Sequence, residues 1–160
     1  MKIFRLILII ICLSSSYVVS AQNSVEIIQF TDLDKLMQKD DGIYVINFWA
    51  SWCGPCVVEM PYFETLANDF RVNNVKVVFI SLDFKRDLEG VKKFVKDKKI
   101  NSPVYILDEP DYDSWIDKVS TKWSGSIPAT LISQGSKKEF YEQSFDYQTL
   151  TEKIKHFFLK

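Results

Sequence analysis

The residues best suited to chemistry are Cys53 and Cys56, separated by Gly54-Pro55. A Cys-x-x-Cys unit has two physical uses. One is half of a tetrahedral zinc site, whose other ligands come from elsewhere in the chain. Here the chain has three cysteines in all, so no second pair exists, and its single histidine, His156, lies near the far end. That lone histidine also disfavours a Cys-His or Ser-His catalytic pair. The other use is a reversible disulfide, for which position decides. If Cys53 opens a helix, unpaired backbone N–H groups and the helix dipole stabilise its thiolate. Cys56 then lies one turn later on the same face and can close the bridge. Pro55 in the first turn removes no helical hydrogen bond.

The surrounding pattern supplies such a helix. Residues 43–50 form an apolar run broken only by Asn47, as expected of a strand buried on both faces. From 53 to about 70, Val57, Met60, Phe63, Leu66, Ala67 and Phe70 recur at helical spacing, with Pro61 expected to kink the helix. Upstream, residues 25–30 read as a strand, and Thr31 or Asp32 as the cap of a helix reaching about 39, with Leu33, Leu36 and Met37 on one face. Downstream come a strand at 75–82 and a helix at 87–98 with Leu88, Val91, Phe94 and Val95 inward. The lysines at 92, 93, 96, 98 and 99 read as its solvated face. A strand at 104–107, a short helix or turn at 111–119, a hairpin pairing 127–133 with 139–145 around Gln134-Gly135-Ser136, and a helix at 149–159 complete the chain. Strands alternating with helices and ending in a hairpin indicate an α/β fold with a mixed sheet.

With 160 residues, 47% hydrophobic and 26% charged, the composition suits one domain and excludes a disordered or collagen-like chain. A net charge of -1 gives no basis for nucleic-acid binding. The first residues read as an address. Lys2 and Arg5 precede an apolar run at 6–13, and Val19-Ser20-Ala21 offers a cleavage site with Gln22 as mature start. Residues 1–21 are therefore expected to be a signal peptide and 22–160 the domain, exported to a periplasm. The run is shorter than the roughly 20 residues of a spanning helix; left uncleaved, the signal would anchor the chain to the membrane. Ile11 before Cys12 is too bulky for a lipoprotein site, so Cys12 leaves with the signal, and Cys53 and Cys56 remain.

The segment Asn47-Phe48-Trp49-Ala50-Ser51-Trp52-Cys53-Gly54-Pro55-Cys56 resembles the active site of the thioredoxin superfamily. The following Val57-Val58-Glu59-Met60-Pro61 is similar to its exported, TlpA/ResA-like branch, and Ser124-Gly125-Ser126-Ile127-Pro128-Ala129-Thr130 resembles the family's cis-proline segment. The resemblance implies a thioredoxin-like fold, a central mixed β-sheet flanked by helices, and thiol–disulfide exchange without a cofactor. Cys53 would attack a client disulfide and Cys56 would resolve the mixed disulfide. Trp52, Gly54, Pro55, Ile127 and Pro128 would contact the client, with Pro128 against the cysteines and the Ile127 backbone holding the client strand. Trp49 is either part of this site or core. Gly54-Pro55 is the dipeptide of reducing members. An exported reductant would draw electrons from a membrane thiol reductase of the CcdA or DsbD kind. Its clients would be disulfide-containing exported proteins, apocytochrome c being the branch's best-known case.

Two departures from the family pattern matter. Cytosolic thioredoxins carry a buried aspartate where this chain has Asn47. An amide can hydrogen-bond there but cannot take a proton from Cys56. Glu59, three residues past Cys56 on the same helical stripe, is expected to take over and to tune proton transfer. The second departure is the long acidic and aromatic segment 108–123, whose Tyr112, Trp115 and Trp123 either line a client groove or anchor the loop to the core. Two other functions are open to the sequence. A copper carrier-like metal module on the same fold would need a third soft ligand, and Met60 is the only sulfur nearby. A peroxidase is hinted at by Ser81-Leu82-Asp83, but lacks a peroxidatic cysteine in its own motif.

Overall fold

The structure is a computed structural model that describes residues 24–159; the expected signal at 1–21 and Cys12 lie outside them. Strand β1 (Glu26–Ile28) leads into helix α1 (Phe30–Met37), then β2 (Ile43–Trp49), α2 (Gly54–Asp69), β3 (Val75–Ser81), α3 (Leu88–Asp97) and β4 (Val104–Leu107). Short α4 (Ile116–Val119), the hairpin of β5 (Ala129–Gln134) and β6 (Lys137–Tyr141), and α5 (Tyr147–Leu159) follow.

The six strands form one sheet in the order β1-β4-β3-β2-β5-β6. β1 to β4 run parallel to one another, whereas β5 is antiparallel to β2 and β6 to β5. This is the mixed, thioredoxin-like α/β sheet expected from the sequence. Every residue of β2 is buried. Alternation then divides its side chains between two cores. Val45 and Trp49 join Cys56, Met60, Phe63 and Leu66 of α2 with Leu150, Ile154 and Phe157 of α5. Tyr44, Ile46 and Phe48 join Leu33 and Met37 of α1 with Trp115, Val119 and Trp123. Each fully buried side chain of this size contributes about 1.5–3 kcal/mol. The catalytic candidates thus grow from the sheet's best-held strand.

Some boundaries differ from expectation. Helix α1 is capped by Gln29 without a side-chain bond, and Thr31 and Asp32 fall inside its first turn. The Gln29 carbonyl takes the N–H groups of Asp32 and Leu33, so the helix opens from Gln29 rather than from either side chain. β5 starts at Ala129 rather than 127, since Pro128 has no N–H for a ladder and follows a cis peptide bond. α5 starts at Tyr147, two residues early. Pro61 lies within α2, which continues past it to Asp69. In the β5–β6 turn Gly135 has φ +59° and Ser136 does not share it, the pattern of a type II′ hairpin with glycine first.

Candidate active site

β2 ends at Trp49, and its carbonyl accepts the Leu82 N–H at 2.8 Å. A turn follows in which the Cys53 N–H bonds the Ala50 carbonyl at 3.0 Å, and Cys53 becomes the N-cap of α2. Its sulfur accepts the Cys56 N–H at 3.3 Å. That bond occupies one of the free donors at the helix start, the arrangement that favours a thiolate on Cys53. Cys53 and Cys56 are joined, with S–S 2.03 Å and Cα–Cα 5.3 Å. Cys53 is 6% exposed and Cys56 is not exposed at all. Only the first sulfur can therefore be reached from outside.

The expected client-contacting residues divide. Trp52 is 71% exposed beside the reachable sulfur. Gly54 and Pro55 are exposed on the first turn of α2, and Ile127 is half-buried. Its carbonyl lies 3.8 Å from the Cys53 sulfur, a contact that becomes a hydrogen bond only when reduction gives that sulfur a proton. Pro128 is buried next to it, after the cis bond. Trp49 proves to be core: it is wholly buried and its ring lies 5.1 Å from Phe94. Trp115 and Trp123 are buried as well, pack edge-to-face at 5.5 Å, and donate to the carbonyls of Glu109 and Ser126. They anchor segment 108–123 instead of rimming a groove. Tyr112 stays 41% exposed. With Leu82, Phe84 and Leu107 it lines a shallow groove of about 290 Å³ at the carboxyl ends of β3 and β4.

Behind the disulfide, Glu59 is 1% exposed. Its carboxylate accepts the Phe145 N–H at 2.7 Å and the Asn47 amide at 2.8 Å. Burial pushes its pKa up to about 7, against the pull of those two donors toward the ordinary value. Among the described residues no cation bonds it, so its charge is held by neutral dipoles.

Two supporting carboxylates were not legible as such in the sequence. Asp83 is 4% exposed and accepts from the Ser51 N–H, the Ser51 hydroxyl and the Ser81 hydroxyl at 2.9, 2.7 and 2.7 Å. It ties the turn before Cys53 to the end of β3; the Ser81-Leu82-Asp83 stretch is thus a structural anchor. Glu142, one residue past β6, accepts the Ser124 and Ser126 N–H groups at 3.0 and 3.1 Å and the Ser124 hydroxyl. The Ser124 hydroxyl and backbone hold its carboxyl below the usual range. Gly125 between them has φ +92°, which a side chain would resist. Glu142 so fixes the segment leading to Ile127. The pairing of Thr130 with Tyr141 brings it there, but no spacing rule announces it.

Among the described residues no group of three or more His, Cys, Asp or Glu could hold a metal ion. Met60, the soft ligand a copper module would need, is 1% exposed within the α2 core. The metal-carrier alternative is not favoured.

Known proteins resemble this chain in sequence and in fold. The sequence profile of the Redoxin family matches residues 26–121, well over half of the chain. The thiol-disulfide oxidoreductase ResA of Bacillus cereus (strain ZK / E33L) is 38% identical over 107 residues, covering 64% of this chain and 57% of its own. ResA of Oceanobacillus iheyensis is 37% identical over 60 residues, 38% of this chain and 30% of its own. The matches thus span between about a third and three fifths of these relatives' lengths. A solved thiol:disulfide interchange protein of the DsbE kind from Chlorobium tepidum superposes with TM-score 0.63 at 20% identity, over 76% of this chain and 84% of that one, and shares the fold. From β1 through the Cys53–Cys56 pair to the end of α4, the chain belongs to the Redoxin family, as a ResA-like member of the thioredoxin superfamily.

Proposed function

We propose that this chain is an exported thiol–disulfide oxidoreductase that reduces client disulfides through Cys53 and Cys56. The observation that carries the proposal is the disulfide at the start of α2, with one sulfur reachable, one sealed, and a buried carboxylate on the helix stripe behind it. In the reduced protein the Cys53 thiolate attacks a client disulfide. One client sulfur leaves as thiolate, and a Cys53–client bond forms. Cys56 then gives its proton to Glu59, and its thiolate attacks the Cys53 sulfur. The second client thiolate leaves with the electron pair, and the Cys53–Cys56 bond is restored. The client gains two electrons, and the pair must be recharged by a dithiol donor.

Ile127 and Pro128 would present backbone to the client strand, while Trp52, Gly54 and Pro55 would form the exposed contact around the sulfur. Export is supported by the sequence of residues 1–21. It makes a membrane thiol reductase of the CcdA or DsbD kind a fitting donor and exported proteins, apocytochrome c among them, fitting clients.

The test of function and direction is the reduction potential of the pair, measured by equilibration in dithiothreitol and glutathione buffers. A value near the roughly -270 mV of thioredoxin is expected. A value near the roughly -120 mV of a strong oxidant would make the protein a disulfide donor and overturn the reducing direction.

Glu142 provides a check on client binding. Replacing it with alanine frees two N–H groups and a hydroxyl in the segment before Ile127. With about 1 kcal/mol of ordering lost, a Glu142→Ala variant should raise KM for a protein disulfide by roughly 5-fold and leave kcat nearly unchanged. Steady-state kinetics over client concentration reads the split.

A further inference from the structure

Asn47 stands in the middle of β2, on the face of Val45 and Trp49 that meets α2, and is wholly buried. Its Nδ2 gives one hydrogen to Glu59 Oε1 at 2.8 Å and the other to Thr130 Oγ1 at 3.2 Å. Thr130 is its cross-strand partner in β5, so sheet register fixes the amide from behind. Its carbonyl Oδ1, equally buried, has no hydrogen-bond partner among the described residues. Turning the amide over would aim that carbonyl at a carboxylate oxygen, acceptor against acceptor. Leaving a buried carbonyl unpartnered is costly. This amide is therefore placed for its donors.

The groups that meet Glu59 are few. Asn47 comes from β2, the Phe145 N–H from the segment before α5 at 2.7 Å, and Thr130 of β5 stands behind the amide. Cys56 lies one turn back on its own helix, in the disulfide. β3 and α3 line this layer with Val77, Phe79, Val91 and Val95. The other buried carboxylate, Asp83, is taken by Ser51 and Ser81. Asn47 is thus the only side chain bonded to the Glu59 carboxylate among the described residues.

We propose that Asn47 is a positioning residue that favours the ionised, proton-accepting form of Glu59 behind the sulfur pair, and so tunes the pH at which Cys56 can surrender its proton. This rests on Glu59 being that proton acceptor. Neither partner touches the client.

The experiment follows the Glu59 carboxyl by carbon NMR in the purified oxidised protein, together with the pH profile of exchange in the reduced protein. Asn47→Leu removes the donor at similar volume, and the Glu59 midpoint should rise by about one pH unit, the equivalent of one hydrogen bond. The exchange profile should move with it. Asn47→Asp sets two carboxylates face to face, and the pair should titrate in two separated steps. The double variant Asn47→Asp/Glu59→Gln exchanges donor and acceptor across the same contact, and the two separated steps should collapse to a single midpoint. It also serves if the leucine variant fails to fold. An unmoved Glu59 midpoint in a folded Asn47→Leu protein overturns the proposal. A Glu59→Gln variant with an unaltered exchange profile overturns instead the role of Glu59, and the functional part of the proposal with it.

Discussion

A Cys56→Ser variant is expected to stall on its first client. Cys53 keeps its place at the start of α2 and its 6% exposure, so attack and formation of the mixed disulfide proceed. Resolution does not, because serine cannot supply the second thiolate. In the native protein that thiolate sits one helical turn away, and well-oriented intramolecular groups act at effective concentrations of about 10⁵ M or more. Free thiols at millimolar levels cannot replace it, and turnover should fall on the order of 10³-fold or beyond. Mass spectrometry of the unreduced mixture should show one client per protein, attached at Cys53. An equally abundant adduct on Cys56 in Cys53→Ser would reverse the assignment of the two roles. The sealed position of Cys56 argues against that.

The second large effect is on stability. Burial raises the Glu59 carboxyl from 4.5 to about 7 in the folded chain. Between those values the folded state holds a proton that the unfolded chain has released. Stability from this group is therefore complete below about pH 4.5 and is lost as pH rises through 7. The shift corresponds to about 3 kcal/mol in total. Urea unfolding of the oxidised protein at pH 5 and pH 8 should show a decline about 2–3 kcal/mol steeper than in Glu59→Gln. Equal declines in the two proteins would place Glu59 at an ordinary carboxylate pKa. The same burial that makes Glu59 a base near neutrality weakens the fold at alkaline pH.

The framework of this protein was legible because its signals are local. The run at 43–50 suited a central strand, and the helical spacing after Cys53 put both sulfurs and Glu59 on one stripe. Glu59 was visible by its distance from Cys56 alone. Asn47 was seen as a missing acid, but its work as a donor depends on Thr130, 83 positions away, through strand pairing. Asp83 and Glu142 escaped for the same reason. Each satisfies backbone groups of a segment remote in sequence, and solvated carboxylates look identical in a sequence. Tyr112, Trp115 and Trp123 illustrate the limit from the other side: composition marks them as interactive, and only packing shows that the two indoles face inward. The α1 cap was misplaced by two or three residues because Thr31 and Asp32 are both good caps, whereas the Gln29 carbonyl took the role by backbone geometry.

The four indoles are distributed unequally, with Trp49, Trp115 and Trp123 buried and Trp52 in water. Trp52 is covalently next to Cys53, and disulfides quench the light of neighbouring indoles whereas thiols do so less. Its emission also falls at longer wavelength than that of indoles in an apolar core. The molecule therefore carries an optical gauge of its own redox state, in which the red side of the spectrum brightens on reduction and dims as the sulfur bond closes.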